Sequence, residues 1–437
     1  MLSYYLIDVL RGTDVVKDFN SIKNEISQGY DFLEDQKNKK LIHLLKKLPA
    51  HPFYKDSILG FDEATIHADP YRVLKSLPYT TKQQISNYGN WFYENDPEQT
   101  YENRFTGGST GTPFKYQLSK HSISRITAFN YYLWHHFLGF TIGDKIISLG
   151  GDALGKNPTI KTKLYNYLQH KSFIPGDIIS QNVLTEGFKL IFETKYDIIY
   201  AYASSLGYFV DEAIRQNIKF KKKIKGVVTV SEMLPDETRK KFMNFFNCDV
   251  LNCYGARDGG VMGAEFKSVD NGFYYNFYDC ITESIQLDEQ LGKQELVLTN
   301  LGNFSFPFVR YRVGDIGTIE KYKNGNLLPL DKIISLEGRT RDLVYTPSRK
   351  VVHGSAFNAI LKASSGIDRY QIVQGADYSL EVRIKSNQAE IAEDAIINLL
   401  HSIVNDPAVD IKIALNKDFI QGQNQKHKII VSNTVNA

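Results

Sequence analysis

Residues 226–253 read GVVTVSEMLPDETRKKFMNFFNCDVLNC, and this stretch divides into three pieces. The spacing predicts a strand over 226–230, a helix over 236–246 and a second strand over 249–253, which together make a strand-helix-strand unit. The same alternation extends upstream. Residues 197–202 are strand-like, 207–217 helical and 145–149 a buried strand, preceded by a long helix over 120–138. Strands alternating with helices at this spacing imply a mostly parallel sheet wrapped by helices. Further out, Phe19, Ile22, Ile26, Leu41, Leu44, Leu45 and Leu48 recur at three and four residue steps, so the opening is helical. Downstream, residues 272–320 are dense in Tyr, Phe, Ile and Val, which predicts a β-rich segment closing the large unit. After Gly338 the pattern resets: a short strand near Leu343, a helix over 355–362, strands over 370–374 and 380–385, a helix over 388–404 and a terminal strand pair. That is about a hundred residues, the size of a small independent domain. The expected architecture is α/β: a large multi-subdomain N-terminal domain over residues 1–337, with mixed β-sheets wrapped by helices, and a small mobile α+β C-terminal lid over 338–437.

Composition narrows the function classes. The chain has 437 residues, enough for about three structural units. Lys and Arg total 52 against 49 Asp and Glu, a formal net charge of +3 that argues against a dedicated nucleic-acid binder. The basic run KFKKKIK, residues 219–225, reads as a solvated edge ahead of a buried strand. Three cysteines, Cys248, Cys253 and Cys280, form neither a disulfide framework nor a zinc set, which suits a reducing cytoplasm. The most apolar long window, 126–140, is interrupted by Asn130, His135 and His136 and is shorter than the roughly 20 residues of a membrane span, so no span is expected. His135 and His136 sit in an aromatic helix and suit a core role.

The sharpest local feature is TGGSTGTP, residues 106–113, where three glycines let backbone N–H groups approach an anion. Thr106, Ser109, Thr110 and Thr112 add hydroxyl donors. The loop lacks the Gly-Lys step of a Walker A motif and runs into a strand, which disfavours a P-loop kinase or GTPase; an ordinary hairpin turn is the bland alternative.

Other segments bear on that choice. CYGARD spans 253–258, YRVGDIG 311–317 and GRTRDLV 338–344. With TGGSTGTP, in this order and at these separations, they resemble the phosphate loop, the Tyr-Gly-x-x-Glu segment, the Tyr-Arg-x-Gly-Asp segment and the Gly-Arg-x-x-Asp hinge of the adenylate-forming superfamily of acyl-CoA synthetases, adenylation domains and luciferases. Within it, LPYTTKQQI (77–85), VSEMLPDETRKKF (230–242) and YGARDGG (254–260) look most like the phenylacetate-CoA ligase branch and its capsular-polysaccharide-biosynthesis relatives. The resemblance runs from about residue 75 to the C-terminus.

The resemblance implies an enzyme that joins a carboxylate to AMP, releases pyrophosphate and passes the acyl group to CoA, another thiol or an amine. It implies ATP/AMP and Mg²⁺ as cofactors, with CoA as a further one. Ser109, Thr110, Gly111 and Thr112 would hold the terminal phosphates, with Thr110 in the catalytic set. Ser231, Glu232 and Met233 match the segment that reads the adenine edge, and Tyr254, Gly255, Ala256 and Arg257 the segment whose tyrosine faces adenine. Asp315 would accept the ribose hydroxyls, Arg339 would contact the nucleotide, Asp258 would hold the metal and Arg341 would be the hinge. The catalytic lysine falls on Lys426, with Lys428 the alternative. The acyl pocket would draw partly on residues 173–205. The chain departs from the pattern at Gly107, where serine is commoner, at Asp258, where glutamate is usual, and at Gln425, where glycine precedes the lysine. The alternative within this fold is an amide-forming ligase acting on an amino sugar or amino acid, and the departures keep open a non-catalytic nucleotide-binding paralogue.

Overall fold

A hairpin, β1 (Tyr101–Phe105) and β2 (Lys115–Ser119), leads into the helix Lys120–Leu138 in the computed structural model. The helix starts and stops where its sequence says it should. Ser119 caps it by accepting from Ser122 N, and Gly139 ends it at φ 66°, a conformation glycine adopts without steric cost. The structure describes residues 2–88, 100–105, 115–150, 160–175, 181–231, 233–256, 258–288, 293–304, 306–339, 343–348, 351–353, 369–386, 391–420 and 429–432, with 357, 361, 364, 366 and 367 as single positions.

Next come β3 (Ile146–Gly150), β4 (Lys171–Pro175), β5 (Ile198–Ala201), β6 (Gly226–Val230) and β7 (Val250–Ala256), which pair in parallel in the order β7-β6-β5-β3-β4. The apolar runs of β3, β5 and β6 are nearly continuous because both faces are covered. Ile146, Ile198, Val228 and Leu251 face the core under Lys120–Leu138, whereas Ile147, Ile199, Val227 and Val250 face the core under the helices Ala203–Arg215 and Asp236–Phe246.

The expectation of a mostly parallel sheet needs correcting. After β7 the same sheet continues through β8 (Val261–Glu265), β9 (Phe273–Tyr275), β10 (Cys280–Asp288), β11 (Lys293–Asn300), β12 (Tyr311–Glu320) and β13 (Lys332–Arg339), all antiparallel, to reach 11 strands. The reason is length. Only four residues separate β7 from β8, far too few for the dozen or more that a parallel crossover needs. The β-rich segment therefore closes the large unit by extending this same sheet. The opening is also divided, into Leu2–Arg11, Val15–Ser27 and Tyr30–Lys47, the last break falling at Gly29 with φ 90°.

Beyond Arg339, β14 (Leu343–Tyr345) pairs with β15 (Val351–His353), and β16 (Arg369–Gln374), β17 (Leu380–Lys385), β18 (Ile411–Leu415) and β19 (Ile430–Ser432) form a four-stranded sheet. The terminal strands are not paired with each other. Each lies parallel to one member of the antiparallel β16–β17 pair, in the order β18-β17-β16-β19. The helix packed on this sheet runs Glu393–Val404, shorter than the sequence pattern suggests, and the core around Val344, Ile372, Val382, Leu400 and Ile430 draws only on residues past Arg339. Among the described residues no helix is long and apolar enough to cross a membrane.

Candidate active site

β6 and β7 end side by side, Val230 opposite Cys253, and open α/β sheets present ligands at such carboxyl ends because the connecting loops diverge there. A buried hydrogen bond from Thr229 Oγ1 to Asn252 Oδ1 (3.0 Å) ties the two strands just below. Past β6, Ser231 takes φ 67°, a left-handed backbone that turns the chain out of the sheet, and Met233 leaves its side chain 42% exposed. At the end of β7, Tyr254 is half-buried, Gly255 exposed and Ala256 buried.

The second half of the site comes from β12. Between Glu295 and Val297 of β11 the pairing partners on β12 run from Ile316 to Arg312, so β12 carries a bulge over 313–315. Gly314 sits in it at φ 80°. Bulges re-aim side chains, and here the residue after the glycine is Asp315, which is only 6% exposed.

Two hydrogen bonds cross between the segments. The Tyr254 hydroxyl donates to Asp315 Oδ2 (2.7 Å), and the Tyr311 hydroxyl donates to Asp258 Oδ2 (3.0 Å). Each segment reads Tyr-x-x-x-Asp, and each tyrosine serves the other segment's carboxylate. Because β8, β9 and β13 stand between β7 and β12 in the sheet order, this contact requires the sheet to roll back on itself. Two glycines permit the approach. A Cβ on Gly259 would lie 2.2 Å from Leu298 Cδ1, and one on Gly260, at φ 80°, would lie 2.2 Å from Asn300 Nδ2. Gly259 N also donates to Asp258 Oδ1 (3.3 Å).

The start of β12 is anchored from outside. Thr80 N donates to Arg310 O (2.9 Å), and Arg312 N donates to Thr80 O (2.8 Å). Arg310 binds both oxygens of Glu283 and the carbonyls of Lys75 and Leu77, and Arg312 pairs with the buried Glu295. The LPYTT stretch thus serves the site by holding Tyr311 in place.

The structure therefore brings Tyr254, Asp258 and Asp315 together, and sets Ser231 and Met233 just past the neighbouring strand. Arg339 ends β13 directly opposite Asp315 in register. Ser109, Thr110, Gly111, Thr112, Glu232, Arg257, Arg341 and Lys426 lie outside the described residues, as do Gly107, Gln425 and Lys428. Tyr311 is the member that the motif reading quoted but gave no role; the repeated Tyr-x-x-x-Asp spacing is the signal that marks it.

Burial pushes the thiols of Cys248 and Cys253 up to about 12 and raises that of Cys280 as well, so all three stay protonated at neutral pH. None of them suits a nucleophile. Among the described residues no group of three or more His, Cys, Asp and Glu side chains could hold a metal. Mg²⁺ at nucleotide sites commonly uses one or two carboxylates plus substrate phosphates, and Asp258 fits that pattern. In the basic run, Lys222 donates to the carbonyls of Ile191 and Thr194 and Lys225 pairs with Asp144 (2.7 Å), which are edge contacts. His135 Nδ1 donates to Phe140 O (2.8 Å) and its ring packs on Phe19, a structural place in its helix.

No protein-family model matches the chain. A crystal structure of 2-hydroxyisobutyryl-CoA ligase, in the postadenylation state with R3-HIB-AMP, superposes with a TM-score of 0.66 at 14% identity, over 91% of this chain and 89% of that one. The o-succinylbenzoate-CoA synthetase of Bacillus subtilis, in complex with its acyl-adenylate intermediate, gives a TM-score of 0.52 at 11% identity, over 74% and 67%. The fold is the one these two ligases share. In sequence, the chain is phenylacetate-CoA ligase-like: it is 26% identical over 194 residues to the phenylacetate-coenzyme A ligase of Pseudomonas putida. That match covers 42% of this chain and 43% of the relative, so it spans less than half of either.

Proposed function

We propose that the chain is an AMP-forming carboxylate ligase that makes an acyl-AMP and then passes the acyl group to CoA. The observation that carries this reading is the crossed Tyr254–Asp315 and Tyr311–Asp258 pairing, which gathers two motif carboxylates at the carboxyl end of the parallel strands. In the first half-reaction a carboxylate oxygen attacks the α-phosphorus of ATP, and the bond to pyrophosphate breaks. Like charges meet there, so the chain must supply positive charge and orientation. Asp315, an acceptor held inside the bulge, binds the ribose hydroxyls, and Tyr254 sits beside adenine. Ser231 to Met233 contact the adenine edge, and Arg339 approaches the nucleotide from β13. Ser109, Thr110, Gly111 and Thr112 hold the terminal phosphates. Asp258 would hold Mg²⁺, which supplies charge neutralisation at the phosphates when bound.

Residues 338–437 form the lid in this reading, hinged at Arg341 and carrying Lys426 to the reacting centre. Cys253 and Cys280 are buried and Cys248 partly so, which supports an acyl acceptor from outside the chain. The relatives named above are CoA ligases, which favours CoA over an amine. A panel of carboxylates scored for pyrophosphate release, with and without CoA, tests the proposal. Carboxylate-dependent release with thioester formation supports it, whereas acyl transfer to an amine but not to CoA would move the assignment to an amide-forming ligase.

A further inference from the structure

Tyr311 is 2% exposed, its ring packs edge-on against Phe308 at 4.9 Å, and its hydroxyl reaches Asp258 Oδ2. Its backbone is gripped on both sides by Thr80, itself fully buried, with a hydroxyl that donates to Val309 O (3.0 Å). Asp258, by contrast, lies in the short loop between β7 and β8, where among the described residues the Gly259 N–H bond to Oδ1 adds a local hold. A carboxylate on such a loop takes its orientation from the rigid groups it meets, and Tyr311 stands at the start of β12, where Thr80 holds the backbone on both sides.

We propose that Tyr311 is the positioning residue for Asp258, fixing one carboxylate oxygen so that the group meets a nucleotide-bound divalent cation in a set orientation. This rests on the reading of Asp258 as the Mg²⁺-holding carboxylate and assigns its orientation to a second motif 53 residues away. Each carboxylate oxygen has two lone pairs, so accepting from Tyr311 leaves Asp258 able to ligate a cation. Hydrogen-bond partners of metal-ligating carboxylates commonly matter by about 10- to 100-fold in metal affinity or activity.

The test is ATP binding by calorimetry as a function of Mg²⁺ concentration, on the full chain. Tyr311→Phe keeps the buried ring and removes only the hydroxyl. It should raise the Mg²⁺ concentration for half-maximal ATP binding by about 10- to 100-fold, while AMP affinity without metal stays within about twofold of wild type. An unchanged Mg²⁺ requirement, or an equal loss of AMP binding, overturns the proposal. A double-mutant cycle guards against a general loss of structure. If Tyr311 acts through Asp258, adding Tyr311→Phe to Asp258→Asn should not raise the Mg²⁺ requirement further; additive effects contradict it. Failure of the underlying reading looks different: Asp258→Asn would then need no more Mg²⁺ than wild type.

Discussion

Asp315 is the residue on which nucleotide affinity should depend most. If Asp315 accepts the ribose hydroxyls as proposed, Asp315→Ala removes that charged acceptor together with the hydrogen bond from Tyr254, so AMP affinity should fall by about 1.5 to 3 kcal/mol. Titration calorimetry with AMP measures it, and unchanged affinity would reduce Gly314-Asp315 to a bulge with no ligand. At Asp258 the direction of change matters more than the size: Asp258→Glu should preserve or raise activity, whereas Asp258→Asn should lower activity and raise the Mg²⁺ demand. Assays over a Mg²⁺ series distinguish them, and an Asn variant as good as wild type would remove the metal role. The sequence motifs name Tyr254, Asp258 and Asp315 because their residue types and order are distinctive. They do not show that the tyrosines are exchanged, because that depends on how far the sheet rolls between β7 and β12, a tertiary property with no local pattern.

At the scale of elements, the bulge in β12 and the packing of Val15–Ser27 on Lys120–Leu138 each yield a prediction. Gly314→Ala forces a side chain into a left-handed backbone at about 1 to 2 kcal/mol, and the lower melting temperature should be joined by weaker AMP binding because Asp315 is re-aimed. Stability loss with normal AMP affinity would separate the bulge from the site. Asp18 lies on the Val15–Ser27 helix, buried, with Oδ2 unpartnered among the described residues. Desolvation pushes its carboxyl up to about 7, against the pull of Arg125, with Asp279, Asp14 and Glu25 adding to the rise. The folded state then binds this proton more tightly than the unfolded state, so stability drains away as pH rises from about 4 to 7. Asp18→Asn should raise the melting temperature at pH 8, and the gain should shrink toward pH 4; a gain independent of pH would contradict the buried-carboxylate cause. Periodicity reveals both helices because their apolar spacing is regular. It cannot reveal the bulge, since the two extra residues on β12 alter its pairing with β11, which no spacing within the strand records.

For the whole molecule, the parallel strands β3, β5, β6 and β7 were legible as apolar runs; β4, KSFIP on the sheet edge, was not, nor was the antiparallel continuation of the same sheet, because the pattern of a strand does not name its neighbour. The four strands of the C-terminal sheet were readable singly, yet their order was not. The proposed lid function gives a prediction at this scale. Lys426→Ala should slow acyl-AMP formation by about 10² to 10³, the usual cost of losing one preorganised charge-stabilising group. Acyl transfer from synthetic acyl-AMP should be nearly intact. Arg341→Pro should do the reverse, since fixing φ at a hinge hinders rotation. Single-turnover rates of each half decide between them, and equal slowing of both halves by Lys426→Ala would misplace the lysine. All of this presupposes an adenine nucleotide seated against the crossed Tyr–Asp pairs. The most direct measurement is calorimetric titration of the wild-type chain and Asp315→Ala with ATP plus Mg²⁺ and with AMP. Saturable binding of both nucleotides by the wild type, weakened for both by the substitution, is the predicted result; no adenine nucleotide binding by the wild type would contradict it.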